Sequence, residues 1–271
     1  MGVSNFIARR YYRFKSKWNI VNIISRSASF VLVVAVCAFF VVLSVFSGLK
    51  IFGANYSKAF DPDIKISSKT SKHFDFSASL SEQLKNVPNV VVFSKLIEDK
   101  VLVKNLENSE FASLNGVSEQ YNSVFDIEKI ITVGRWISSV PDSNEAVVSH
   151  ALADRLSLGL YNYGGGLTIL IPSTKQGNNI LQKPFYSSFY MVSGVFGSSE
   201  AADQKNIFVP FASAQKLLRL DDGKISAVAI KVANPSDSKN TIKQLQKIFG
   251  DNFYVKSREE LNETYYKMLN A

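Results

Sequence analysis

Between Arg26 and Lys50 the sequence runs for 23 residues, SASFVLVVAVCAFFVVLSVFSGL, without a charged side chain. Nothing else in the chain restricts its fate so tightly. At 1.5 Å per residue, a helix of this length covers about 35 Å, enough to cross a hydrocarbon core of ~30 Å with some tilt. Its backbone groups then bond to one another, as lipid requires. Arg9, Arg10, Arg13, Lys15, Lys17 and Arg26 lie ahead of it, and no acid appears before Asp61. The first 50 residues therefore carry +7 and the remaining 221 carry only +1. That one-sided charge directs the N-terminus to the cytoplasm and the residues after Lys50 to the outside. A cleaved signal peptide calls for a shorter basic lead, a shorter apolar stretch and a small-x-small site behind it, whereas the lead here is 26 residues long. The expectation is an uncleaved signal anchor: a basic arm over 1–26, a transmembrane helix over 27–49, and an external domain over 50–271.

The pI of about 9.4 does not indicate a nucleic-acid partner, because the excess charge sits in the arm and the later charges are mixed in sign. In the arm, Phe6, Ile7, Tyr11, Phe14, Trp18 and Val21 recur at three- and four-residue steps, with Arg9, Arg13 and Lys17 off that stripe. This pattern predicts an amphipathic helix in contact with lipid headgroups. A lone cysteine, Cys37, lies inside the apolar run, so the external domain forms no disulfide and is compatible with an oxidising compartment.

Beyond the span the pattern alternates between strands and helices. DPDIKISS (61–68) predicts a strand. SASLSEQLKNV predicts a helix starting near Ser79 or Ser81 and closed by Pro88, and NVVVFSKLIEDKVLVKN predicts two strands or one bent one. Near the far end come a strand (ISAVAIKVAN), a helix stopped by Gly250, a strand (NFYVKS) and a last helix (REELNETYYKMLNA). The two groups together have the order of a split βαβ, ferredoxin-like unit. The fold class expected is α+β with two lobes. One comprises 61–115 plus 221–257, and the other is a mixed α/β lobe inserted over 116–220, where Pro210 suits the first turn of a helix. Residues 258–271 form a terminal helix.

No catalytic, cofactor-binding or metal-binding residue is expected. His150 and Asp154 lie four apart, but two ligands do not close a zinc site. Ser149 beside His150 is no triad, since adjacent side chains diverge. Gly164–Gly166 precedes a strand and lacks the helix N-terminus that receives phosphate. His73 has no companion ligand, and Cys37 in lipid is no accessible thiolate.

The residues FIARRYYRFKSKWNIVNIIS, the span ending VLSVFSGLK, and FDPDIKI together resemble the start of lipoprotein-releasing-type (LolC/LolE-like) ABC transporter permeases, within the MacB/FtsX-like permease superfamily. NGV (115–117), SGVF (193–196), IFVPFASAQKLL (207–218) and ISAVAIKV (225–232) extend the likeness in order along the chain. The versions most similar are those of Bacteroidota-type bacteria. The resemblance implies a bacterial inner-membrane subunit with a periplasmic core of two lobes and a second span following Ala271. It also implies an ABC-type ATPase partner (no Walker motif is present), a second permease copy or paralogue, contact with membrane lipids, a lipoprotein cargo and a periplasmic carrier. The implied mechanism is mechanotransmission, in which ATP-driven closure moves the periplasmic lobes. Two other readings remain open, an anchored periplasmic ligand-binding or sensor domain and an anchored hydrolase, and within the permease reading so do cell-division-type and peptide-export roles.

Overall fold

The computed structural model describes residues 3–13, 20–57, 61–125, 127, 130–138, 143–158, 165–172, 185–197 and 205–261. The chain divides into two compact units, Met1–Gly53 and Ala54–Ala271.

The first unit is helical. Helix α1 covers Val3–Arg13, and α2 covers Ile20–Ser57. Of the predicted arm stripe, Phe6 and Ile7 are exposed on α1, while Phe14 and Trp18 lie outside the described residues. Helix α2 starts earlier than the apolar run and takes in Arg26; its segment suited to a membrane is Asn22–Gly48. Phe30, Phe39, Phe40 and Phe46 are all more than 60% exposed. A helix apolar on every side and uncovered by protein has lipid as its natural solvent. Its helical residues continue past the expected end at residue 49, through Gly53 to Ser57.

The second unit is a mixed α/β domain. Its elements in order are β1 (Ile64–Ser68), β2 (Phe74–Asp75), α3 (Ala78–Lys85), β3 (Val90–Asn105), β4 (Asn108–Val117), α4 (Tyr121–Val124), β5 (Ile131–Gly134), β6 (Glu145–Ser149), α5 (His150–Arg155), β7 (Gly166–Pro172), β8 (Phe185–Phe196), β9 (Asn206–Pro210), α6 (Phe211–Leu218), β10 (Lys224–Ile225), β11 (Ala227–Val232), α7 (Ser238–Phe249), β12 (Phe253–Ser257) and α8 (Arg258–Leu261). Strand order is β12-β1-β11-β3-β4-β9-β6-β8-β5, with β7 joining β3 to β8 and a separate β10–β2 pair.

Two wings share the long strand β3. In the first, β12, β1, β11 and the start of β3 are antiparallel neighbours, with Ile64 facing both Ile230 and Ser257. Period-2 alternation sends Ile64, Ile66, Val228, Ile230 and Val255 to one face, where Leu84 of α3 and Leu245 and Phe249 of α7 close over them. In the second, β3 pairs β4, β4 pairs β9 in parallel, β9 pairs β6, β6 pairs β8, β8 pairs β7, and β7 returns to β3. The pairings close into a ring. Ile97, Val101, Leu114, Val148, Ile169, Tyr190 and Val209 fill its interior, packed with Leu152 and Leu156 beside α5 and Ala214 and Leu217 of α6. A small ring of this kind has room only for its own side chains. At Gly116 a Cβ would stand 2.3 Å from the Ala214 Cβ, so the missing side chain is what lets α6 close on β4.

The opposite face of β3, β11, β9 and β6 holds a third cluster: Leu96, Ala227, Ala229, Val147, Phe208 and Phe196, covered by Tyr121, Val124 and Phe125. Trp136 stacks on Tyr121 with ring centroids 5.9 Å apart.

Several local expectations are refined or corrected. Helix α3 begins at Ala78, beside Ser79 as expected, and its cap is Ser77, whose side chain accepts from the Leu80 N–H. Residues 90–105 form one strand. The first strand begins at Ile64, after Pro62. Pro210 ends β9 and precedes α6 as its cap residue, one position before the first turn; its fixed φ suits both extended backbone and a helix start.

Candidate functional site: a clasp and the cleft beside it

The β1–β12 register places Ile64 opposite Ser257, so the chain comes into the sheet and departs from it side by side. Arg258 binds these ends together. Its Nε and Nη2 donate to the Asp61 carbonyl at 3.1 and 2.9 Å, and Nη2 lies 2.9 Å from Asp63 Oδ1. The Arg258 N–H donates to the Asp63 carbonyl at 3.1 Å. Asp63 Oδ2 accepts the N–H of Val232, 169 positions away, at 2.9 Å. Both side chains are largely covered, at 21% and 15% exposure. Charge-assisted bonds shielded in this way are among the stronger polar contacts available to a fold.

Helix α8 starts in the same place. The Ser257 N–H donates to Glu260 Oε2 at 2.8 Å, and the Glu260 N–H donates to Ser257 Oγ at 3.3 Å. This is a capping box, which satisfies two N-terminal donors reciprocally. A second polar knot braces the same wing. The Asn89 side chain donates to the Asn234 carbonyl (3.1 Å) and Thr241 Oγ1 (3.0 Å), and accepts the Asn234 N–H at 2.7 Å.

Beside the clasp lies a cleft of about 500 Å³, lined among others by Asp61, Pro62, Lys65, Glu98, Lys100, Asn115 and Leu261. Register explains its floor. Lys100 faces Ser113, which faces Asn206, and Glu98 faces Asn115, which faces Phe208. These residues point out of the ring because their neighbours Ile97, Val101 and Leu114 point in. Lys65 Nζ lies 2.6 and 2.8 Å from the two Glu98 carboxylate oxygens, and Lys72 pairs with Asp99. His73 follows Lys72. Its Nε2 is buried with no hydrogen-bond partner among the described residues. Burial lowers its pKa; Asp99 opposes that shift, while Lys72 and Lys224 reinforce it. The ring is therefore neutral in the fold at neutral pH.

Another ion pair, away from the cleft, ties the segment after β5 to the start of β6. Arg135 grips Glu145, which also accepts the Ser138 N–H at 2.8 Å. The Arg135 hydrogen bond holds the Glu145 carboxyl below the usual carboxylate range, against desolvation. Burial pushes the Tyr190 hydroxyl up to about 12.

The residues weighed as chemical candidates fall apart spatially or take structural roles. His150 and Asp154 form an exposed i,i+4 pair at 3.0 Å. Ser149 is buried, and its Oγ accepts the Leu152 N–H to cap α5. Gly166 opens β7 under the Phe189 ring, and Gly164 lies outside the described residues. Cys37 is exposed on α2. Among the described residues, no three His, Cys, Asp or Glu side chains converge as a metal site. The sequence did signal the α8 capping box, as Ser257-x-x-Glu260. Arg258 and Asp63, in contrast, meet only through tertiary pairing and have no local signature.

An apolar N-terminal helix followed by a mixed α/β domain of this topology fits a membrane-anchored protein of the transporter-domain class. The sequence pattern of the MacB-like periplasmic core domain matches residues 28–248, and the chain belongs to that family. The fold is similar to the periplasmic region of MacB from Actinobacillus actinomycetemcomitans: TM-score 0.51 at 15% identity, covering 78% of this chain and 94% of that one. It is also similar to the extracellular domain of the ABC-type transporter YknZ from Gram-positive bacteria, with TM-score 0.50, 15% identity, and coverage of 72% and 99%. No curated protein matches the chain.

Proposed function

We propose that this chain is a permease subunit of an ABC exporter that extracts lipoproteins from the outer leaflet of the bacterial inner membrane. The subunit acts as a lever and does no catalysis. Residues 1–26 lie at the cytoplasmic face, 27–49 cross the membrane, and 50–271 form the periplasmic core. Within that core, the order β12-β1-β11-β3 with α3 and α7 supports a ferredoxin-like lobe carrying an inserted mixed lobe. ATP is hydrolysed by a separate ABC-type subunit, and a second permease copy or paralogue completes the transporter. A periplasmic carrier receives the cargo. The lipoprotein cargo and the Bacteroidota-type version are taken from the resemblance of IARRY, NIIS and LSVFSG to lipoprotein-releasing-type permeases.

One observation carries this reading: Arg258 locks together the two ends through which a membrane segment would pull on the domain. A module that merely hangs from a tether has no use for such a lock. A four-residue Gly/Ser insertion after Ala54 is the test. It should abolish lipoprotein release while leaving protein level and ATPase association unchanged; a tethered sensor tolerates the longer linker, because loop length adds little free energy. Normal release by the insertion mutant rejects the lever. The orientation is checked with cysteines at Ser16 and Ser113 on intact spheroplasts. A membrane-impermeant maleimide should label position 113 and spare position 16.

A further inference from the structure

We infer that the cleft over β3, β4 and β9 binds an extended polypeptide segment carrying one carboxylate, held by Lys100 and Asn115. The inference deepens the transport reading and takes from it only the polypeptide nature of the cargo.

The lining excludes other ligand classes one at a time. Tyr121, Phe125 and Phe208 border the cleft, but all are less than 5% exposed. They offer no ring face, so neither a sugar nor a nucleobase has anything to stack on. Leu96 and Leu114 are covered as well. Lys65 and Lys72 are already paired with Glu98 and Asp99, so the cleft does not present the positive excess that a polyphosphate needs. What remains accessible is mixed polar and apolar surface with nearly balanced charge, as the backbone and side chains of a peptide require.

Two groups on that floor are poised for a partner. The Asn115 amide nitrogen donates to the Ser113 carbonyl at 3.1 Å and the Ile207 carbonyl at 3.5 Å. That anchors the side chain and leaves Oδ1 as an acceptor. Lys100 is exposed and has no ion-pair partner among the described residues. The two stand on adjacent rows of neighbouring strands, Glu98–Asn115 and Lys100–Ser113. Across β3, β4 and β9 the floor is about 10 Å wide, the span of roughly three extended residues. A peptide lying there presents an N–H to Asn115 Oδ1 and a carboxylate to Lys100. The cleft volume also falls within the roughly 300–1,000 Å³ typical of ligand sites.

The test uses the full chain in lipid nanodiscs. The probes are a fluorescein-labelled Gly/Ser nonapeptide with a central Asp and its Asn counterpart, read by anisotropy. The Asp peptide should bind saturably below about 1 mM. Lys100→Met should weaken it about tenfold, the scale of a lost charge-assisted hydrogen bond, and erase the preference for Asp over Asn. Asn115→Leu should weaken both peptides about fivefold. Unchanged thermal melts show that both variants are folded. Absence of saturable binding, or an Asp preference that survives Lys100→Met, overturns the proposal. Peptide binding and lipoprotein release are separate readouts. Binding that persists beside normal release by the Ala54 insertion mutant sinks the lever and leaves the cleft standing; lost binding beside failed release does the reverse.

Discussion

The two wings of the sheet solve the problem of exposed edges in opposite ways. The ring β3-β4-β9-β6-β8-β7 pairs each of its strands on both sides over part of its length and seals a core of aliphatic side chains within. Closure removes edges altogether. The other wing is open. Strand β12 pairs only with β1 among the described residues, and the wing relies on α3, α7, the Asn89 knot and the Arg258 clasp to hold its shape. Lys256 and Lys69 gather over the Tyr254 ring near that open edge, a charge device that discourages pairing with another chain. The contrast concerns resistance to opening: the ring is held by pairing on both sides of its strands, and the open wing by its helices and polar contacts.

Four experiments put this contrast to the test. The largest effect belongs to Arg258→Ala. It leaves the largely buried Asp63 with only the Val232 N–H, and should cost about 3 kcal/mol, measured as a lower denaturant midpoint. Hydrogen exchange should quicken in β1 and β12 and stay slow in β6 and β8. Equal quickening in both wings would show that they unfold as one unit and remove the distinction.

Gly116→Ala attacks the ring instead. The added methyl must displace Ala214 or Ile97, and overpacking of this kind costs roughly 1–3 kcal/mol. Exchange should now quicken around α6 and β4 first. Ser77→Ala follows, with a loss of about 1 kcal/mol from the α3 cap and the change confined to the open wing. Full protection of α3 after this substitution would mean that packing, and not the cap, holds the helix.

The smallest effect is a pH dependence. His73 has a depressed pKa in the fold through burial, so the unfolded chain binds its proton more readily. Its contribution is complete above the ordinary histidine value of 6.5 and is lost as pH falls through the lower folded value. The melting temperature should decline on mild acidification below that value. His73→Gln should flatten this part of the profile; an unchanged slope assigns it to other groups.

What the sequence revealed, and what it hid, follows the range of the interactions involved. The apolar helix was plain because 23 uncharged residues are a local fact. The elements β1, β11, α7 and β12 were legible because alternation and helical spacing are local too. The start of α3 was legible to within a residue, but several serines stand close together and only the backbone shows that Ser77 turns its oxygen to the Leu80 N–H. The single strand over 90–105 could not be told from two, because its halves serve different neighbours, β11 first and β7 later. The parallel β4–β9 pair, the closing β7–β3 pair and the clasp between Asp61 and Arg258, 197 positions apart, leave no local trace. The cleft depends on all of them, so it became visible only once the register was known.

The meeting of Asp63 with the Val232 N–H, 169 positions later, also sets a timetable for biogenesis. At a synthesis rate of ~5–20 residues per second, the first strand waits roughly 10–30 s for its partners. Through that interval Ile64 and Ile66, which end fully buried, are presented to the surroundings on an unpaired strand. Long-range pairing of this kind is intrinsically slow and exposed to aggregation. Until β11 and β12 are made, β1 is therefore the segment of the domain most open to mispairing.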